Sequence, residues 1–385
     1  MLVPDWMLYF MGDKERFWVF EMPQSGIVSG RLRNMSIVLG IIGIVLLCLA
    51  VLLGRYLYNN MHYDETLMRK VKQAGFEGKQ VILPDDSVIR YGEGPRNGPA
   101  LLLIHGQTVA WEDYGKALPE LSKAFHVYAV DCYGHGKSSH EVNLYSCQTN
   151  GEALIWFISN IIKENCYLSG HSSGGILAAW IAANAPEQVD GLVLEDPPFF
   201  SVTPQEIQKE KGAFAWYDAY TVTHSFINQK EEADFPLYYL KHGYLLSLFG
   251  GLQNKIIRSA VKYRQANPDR SIKIAWFPHA WLRPLLYMDS YDPQFGNTFY
   301  NGSWMKNIDQ DSMLKSIKCP VIYLKANTLY GKDGVLYAAN TDNDADKVIS
   351  LIGICKRINI KSGHNIHFEH PDIFVAAFKK LIKES

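Results

Sequence analysis

The chain has 385 residues, 48% of them hydrophobic and 20% charged, with a formal net charge of −1. That length buries one large core with room for accessory segments, and the near-neutral balance carries no electrostatic footprint of a nucleic-acid partner. The six cysteines follow no zinc spacing and are too sparse for a disulfide framework, so they read as mostly buried thiols that leave the redox compartment open.

Residues 1–35 form an N-terminal tail in which aromatics such as Trp6, Phe10, Phe17 and Trp18 mix with charges. A short juxtamembrane helix and a disordered tail both remain open for it. Ser36 to Leu53 is an apolar run without a charge. With its flank it predicts a transmembrane helix over 36–58, since about 1.5 Å per helical residue carries it across a hydrocarbon core of about 30 Å. The rival readings fit less well: Leu52-Leu53-Gly54-Arg55 is a poor signal-cleavage site, and Leu47 precedes Cys48 where lipid-modified cysteines follow a small residue. Arg31 and Arg33 on one flank against Arg55 on the other favour a single-pass N-terminal anchor with its N-terminus in the cytoplasm and the rest of the chain outside; Arg69, Lys70 and Lys72 lie farther out. Residues 59–75 read as a charged, helix-compatible linker.

From residue 76 the chain alternates strand-like and helix-like segments, which predicts an α/β class with a mostly parallel sheet. Gln80–Arg90 is an opening hairpin that turns at Pro84-Asp85-Asp86-Ser87. Pro99–Ile104 is an apolar third strand ending in His105-Gly106-Gln107, and Phe125–Val130 a fourth ending in Asp131. Asp131, Gly134 and Gly136 read as turn-formers. Asn165–Leu168 leads into Gly170-His171-Ser172-Ser173-Gly174, then into a helix over 175–183. Asp190–Asp196 is the sixth strand, Cys319–Lys325 the seventh and Cys355–Ile360 an eighth at the edge. The long stretch between the sixth and seventh strands exceeds what a crossover needs, and it is rich in aromatics. These read as its own small core, the lining of an apolar tunnel, or a face resting on a membrane.

A serine on a strand-to-helix turn is held in a strained conformation with its hydroxyl clear of the sheet, beside helix amides that stabilise negative charge. Elbow, His-Gly turn and strand order together resemble the α/β-hydrolase superfamily, in its serine-nucleophile, esterase- or lipase-like branch. The resemblance implies a hydrolase core in two parts, 76–198 and 316–385, with a helical cap over 199–315 inserted between the sixth and seventh strands. It implies Ser172 as nucleophile and His364, directly after Gly363, as general base. The backbone N–H groups of Gln107 and Ser173 would form the oxyanion hole. The Gln107 side chain reads either as a further donor or as a polar turn residue. For the acid the chain departs from the family pattern, with Ala326-Asn327-Thr328-Leu329 after the seventh strand where an aspartate is usual. Asp333 is the favoured acid on chain order, Asp196 at the end of the sixth strand is the alternative, and a solvated turn aspartate is the plain reading of either.

The spacing His364, His367, His370 suggests a metal site, but the three imidazoles do not share one helix face and no zinc motif accompanies them. No metal and no cofactor are therefore expected. The expected activity is that of a membrane-anchored serine hydrolase cleaving a carboxylic ester, or a related acyl bond, of a hydrophobic small molecule through an acyl-enzyme. Serine at the elbow argues against the epoxide-hydrolase and haloalkane-dehalogenase branches, which resemble this fold but use aspartate there. Amidases, thioesterases and carbon–carbon hydrolases stay compatible. The alternative is a non-catalytic, membrane-tethered binding or scaffold protein on the same fold.

Overall fold

The computed structural model describes residues 25–209, 212–213 and 216–383. Residues 1–24 of the expected tail lie outside the described residues. Two units are distinguished, Met1–Tyr56 and Leu57–Ser385. A helix runs over Ser25–Met61. Its 29 residues from Arg33 to Met61 are long and apolar enough to cross a membrane, and the most apolar part is not buried. The expected linker contains a helix, Tyr63–Gln73, with Asp64 and Glu65 in its first turn and Lys70 and Lys72 in its last, the order that complements the helix dipole.

Among the described residues eight strands form one sheet: β1 (Glu77–Ile82), β2 (Val88–Glu93), β3 (Ala100–Ile104), β4 (His126–Val130), β5 (Cys166–His171), β6 (Val189–Glu195), β7 (Val321–Lys325) and β8 (Cys355–Asn359). Their spatial order is β1-β2-β4-β3-β5-β6-β7-β8. The hairpin β1–β2 and the pair β2–β4 are antiparallel, and every later pairing is parallel. β3, β4 and β7 are buried at every position, as continuous apolar runs covered on both faces require. β8 is partly exposed at the sheet edge.

Strand alternation splits the core. Leu102, Ile104, Leu168, Leu192 and Leu194 pack on one side with Ile176 and Leu177 of the helix Ser173–Asn184. Leu101, Leu103, Val193, Ile322 and Leu324 pack on the other with Phe374 and Phe378 of the helix Pro371–Leu381. Between β6 and β7 the described residues form helices and turns without a named strand. The large aromatics of this insertion are mostly core: Tyr220 stacks on Phe299, with ring centroids 4.7 Å apart, and Phe299 on Trp304 at 4.3 Å. All six cysteines are free thiols, four of them buried.

Parallel registers align the carboxyl ends of β3, β5 and β6: Ile104 pairs with Gly170, and His171 with Glu195. Three loops thus leave the sheet side by side, the place where open α/β sheets collect their functional groups.

Candidate active site

Ser172 stands between β5 and the helix Ser173–Asn184 with φ +54° and ψ −124°, a left-handed conformation for a residue with a Cβ. The surroundings impose it. The Ser172 N–H donates to the Glu195 carbonyl at 3.0 Å, and the Gly175 N–H to the Ser172 carbonyl at 2.8 Å. A Cβ on Gly170 would lie 2.0 Å from the Gly174 carbonyl oxygen, and one on Gly174 2.3 Å from that of His105. Only glycine lets the elbow close against β3.

His364 lies in the loop between β8 and the helix Pro371–Leu381, a loop tied by Glu369, whose carboxylate accepts from the Gly363 N–H at 2.9 Å. His364 Nδ1 stands 2.8 Å from Asp196 Oδ2. Asp196 is fully buried; its Oδ1 accepts from the Ala326 N–H at 3.1 Å and lies 3.7 Å from Lys325 Nζ. Asp333, the favoured acid, is instead bonded to the Tyr244 hydroxyl and to the Val335 N–H, the latter at 3.2 Å. The reason is local. Its turn closes on itself through the Gly331 N–H to the Val335 carbonyl at 2.8 Å, and its carboxylate is taken by the insertion. The carboxylate on His364 therefore comes from the end of β6.

The adjacent pair Glu195-Asp196 serves two histidines. Glu195 Oε1 lies 2.8 Å from His367 Nδ1, and His367 Nε2 lies 3.1 Å from Asp113 Oδ2, which belongs to a carboxylate also bonded to Arg283. Burial disfavours charge on His367, but Glu195 and Asp113 outweigh it and push the imidazole up to about 9. Burial also works against the Asp113 carboxylate, yet Arg283 and His367 bring it down to about 2. This is a buried network of two cations and two anions behind the elbow. His171 is held neutral, first by burial and then by His364 and His367. Its Nε2 donates to the His364 carbonyl at 3.1 Å, so the Nδ1, which has no partner among the described residues, carries a lone pair and not an orphaned proton.

The triplet His364, His367, His370 forms no common ligand set. His171, Glu195 and His367 do offer three ligand atoms within 4.8 Å of one another. A metal there would have to displace the His367 proton and its ion pair.

The turn after β3 is pinned by two neutral imidazoles. His105, which burial brings down to about 4, accepts the Cys132 N–H on Nε2 at 3.0 Å, and His135 Nε2 accepts the Thr108 N–H at 3.3 Å. Asp131 is a turn organiser, accepting from the N–H groups of Trp111 and Lys137. A Cβ on Gly106 would come within 3.0 Å of Ser172 Cβ, so this turn lies against the nucleophile candidate. Ser173 opens its helix, and its N–H has no partner one turn back. Gln107 Oε1 accepts from the Tyr291 hydroxyl at 2.7 Å, while its Nε2 is buried with no hydrogen-bond partner among the described residues.

Ser172, His364 and Gln107 border one cavity of about 650 Å³. Its far walls come from the insertion, with Trp216, Tyr220, Leu245, Leu248 and Trp281 among them. A serine at a strained elbow, a histidine held by a buried carboxylate, and the Gln107 side-chain amide thus meet at the end of an apolar chamber. The network of Glu195, His367, Asp113 and Arg283, and the buried Lys325, escape a reading of the sequence. The Glu195-Asp196 pair and the second histidine three residues after the first were the available signals.

The family model described as alpha/beta hydrolase fold matches residues 99–273, a range that includes Ser172 and Asp196. A bifunctional epoxide hydrolase 2 from Sus scrofa is 32% identical over 125 residues, which cover 31% of this chain and 22% of that protein. A serine hydrolase-like protein from Homo sapiens is 30% identical over 117 residues, covering 30% of this chain and 58% of that one. The chain thus spans less than two thirds of the length of these relatives. The crystal structure of a membrane phospholipase A, described as a bacterial virulence factor, superposes with a TM-score of 0.56 at 19% identity, covering 91% of this chain and 98% of the other.

Proposed function

We propose, from the α/β-hydrolase superfamily that the family match and the fold support, that this chain is a membrane-anchored serine hydrolase acting on a carboxylic ester of a hydrophobic small molecule. The observation that carries the reading is the 2.8 Å contact between His364 and the buried Asp196, with His364 and Ser172, at its strained elbow, lining one cavity.

In this reading His364 removes the Ser172 proton as Oγ bonds to the ester carbonyl carbon. The Gln107 and Ser173 N–H groups stabilise the oxyanion, and Gln107 Nε2 is a third donor at the same edge. The His364 imidazolium then protonates the leaving alcohol as the C–O bond breaks. Water, deprotonated by His364, attacks the acyl carbon and frees Ser172. Asp196 holds the imidazole orientation and stabilises its charge. The epoxide hydrolase name among the relatives is not carried over, because the elbow residue here is serine. The span within Ser25–Met61 is the anchor in this reading. The absence of an aspartate directly after β7 is the ground for the non-catalytic alternative, and the contact of His364 with Asp196 at the end of β6 supports the catalytic reading over it.

The test is turnover of a chromogenic acyl ester by the full chain in detergent. Hydrolysis that disappears in Ser172→Ala supports the reading, and a folded chain inert toward short, medium and long acyl esters contradicts it.

A further inference from the structure

The outer face of the insertion carries a pattern the catalytic residues do not use. The helix Gly251–Ala266 contains no acidic residue and four cations. Arg264 is paired with Asp234 and Asp289. Lys255, Arg258 and Lys262 are exposed, and separations of three and four residues put them on one face. Lys255 also lies over the Trp276 ring, 5.0 Å from its centroid.

At the start of this helix the surface turns apolar. Leu248 is 50% exposed, Leu252 40% and Trp281 46%. Phe249 packs edge-on against Trp281 with ring centroids 5.2 Å apart. Leu248 and Trp281 are also walls of the Ser172 cavity. A cationic helix face therefore runs into an apolar rim, and the rim continues inward to the serine. A solvated cationic helix explains the charges but not large apolar groups left in water at a cavity mouth. Cations beside exposed Trp and Leu are the composition of surfaces that settle into the headgroup region of anionic bilayers.

We infer that this face docks on the anionic headgroups of a lipid bilayer and passes one acyl chain of a membrane lipid ester along Leu248 and Trp281 to Ser172. The inference rests on the hydrolase reading above, whose substrate class it narrows.

The test uses the full chain reconstituted in phosphatidylcholine vesicles with or without phosphatidylglycerol. Turnover is read on a fluorogenic long-chain ester dispersed in the vesicles and on a water-soluble butyrate ester. The variant is K255Q/R258Q/K262Q, three residues that do not line the cavity. Each cation near an anionic surface strengthens association about fivefold, so in anionic vesicles the ratio of bilayer-ester to butyrate turnover falls by at least about tenfold. In phosphatidylcholine alone the ratios of parent and variant agree to within about twofold, and about 0.5 M NaCl erases the parent's advantage. An unchanged ratio in anionic vesicles, whatever the absolute rates, overturns the docking inference. A parent inert toward both esters overturns the hydrolase reading instead.

Discussion

Replacing Asp196 by asparagine separates catalysis from stability. Asp196 is fully buried, with His364 on one oxygen and the Ala326 N–H and Lys325 beside the other. Asparagine keeps the shape but loses the charge that holds the imidazolium, which lowers kcat by up to about ten-thousandfold, or about 5 kcal/mol of transition-state stabilisation. The same change leaves the Lys325 ammonium buried without its counter-ion. Breaking such a pair costs about 3–5 kcal/mol. The lower end applies here, because Lys325 Nζ also donates to the Ala326 carbonyl at 2.7 Å and to Thr328 Oγ1 at 3.2 Å. Adding Lys325→Met to Asp196→Asn therefore recovers much of the stability, read from urea unfolding curves, and none of the turnover, read on a butyrate ester. Asp333→Asn, at an exposed carboxylate bonded to Tyr244, stays within about threefold of the parent. A folded Asp196→Asn within tenfold of the parent rate, or a larger loss from Asp333→Asn, would refute the reasoning.

Ser172→Ala and His364→Ala each reduce ester turnover by at least about a thousandfold with circular dichroism unchanged; near-parental rates in either would dismiss that residue. Gln107→Leu keeps the backbone N–H but loses the unpartnered Nε2, so kcat falls by about tenfold or more while KM moves little, and a change in KM alone would assign the side chain to substrate binding. The His367 imidazole, raised to about 9 in the folded chain from an unfolded value of about 6.5, contributes stability that is fully present below pH 6.5 and lost as pH rises through 9. Urea midpoints should decline across that window by an amount worth roughly 3 kcal/mol, and the decline should be absent in His367→Gln; parallel slopes would remove the network from the pH dependence. The full chain should stay with membranes after carbonate washing, whereas a chain beginning at Leu57, which keeps the Asn60 bond to the Ala275 carbonyl, should be soluble.

What the sequence made legible follows from how local each signal is. The elbow shows because glycines on both sides of Ser172 answer a steric demand within a few residues. The inner strands show because burial on both faces leaves unbroken apolar runs such as Leu101–Ile104. The sequence ranks Asp333 above Asp196 as the partner of His364, and the structure pairs His364 with Asp196, because the pairing depends on which of two distant loops reaches the imidazole. Asp333 lies nearer the usual family position in the chain, but its turn closes on itself and its carboxylate is taken by Tyr244. Asp196 was visible at the end of β6, yet nothing nearby in sequence announced that Lys325 and the Ala326 N–H would accommodate its charge. The Glu195, His367, Asp113 and Arg283 network joins four chain segments, so no window of sequence contains it.

The central claim is that Ser172 is a nucleophile activated by His364 and Asp196. It is tested most directly by the intact mass and peptide map of the full chain after exposure to a fluorophosphonate. The account predicts one adduct, on the peptide carrying Ser172, absent in Ser172→Ala, formed far more slowly in Asp196→Asn and at the parental rate in Asp333→Asn. A folded parent that takes up no adduct, or an adduct that persists in Ser172→Ala, would contradict it.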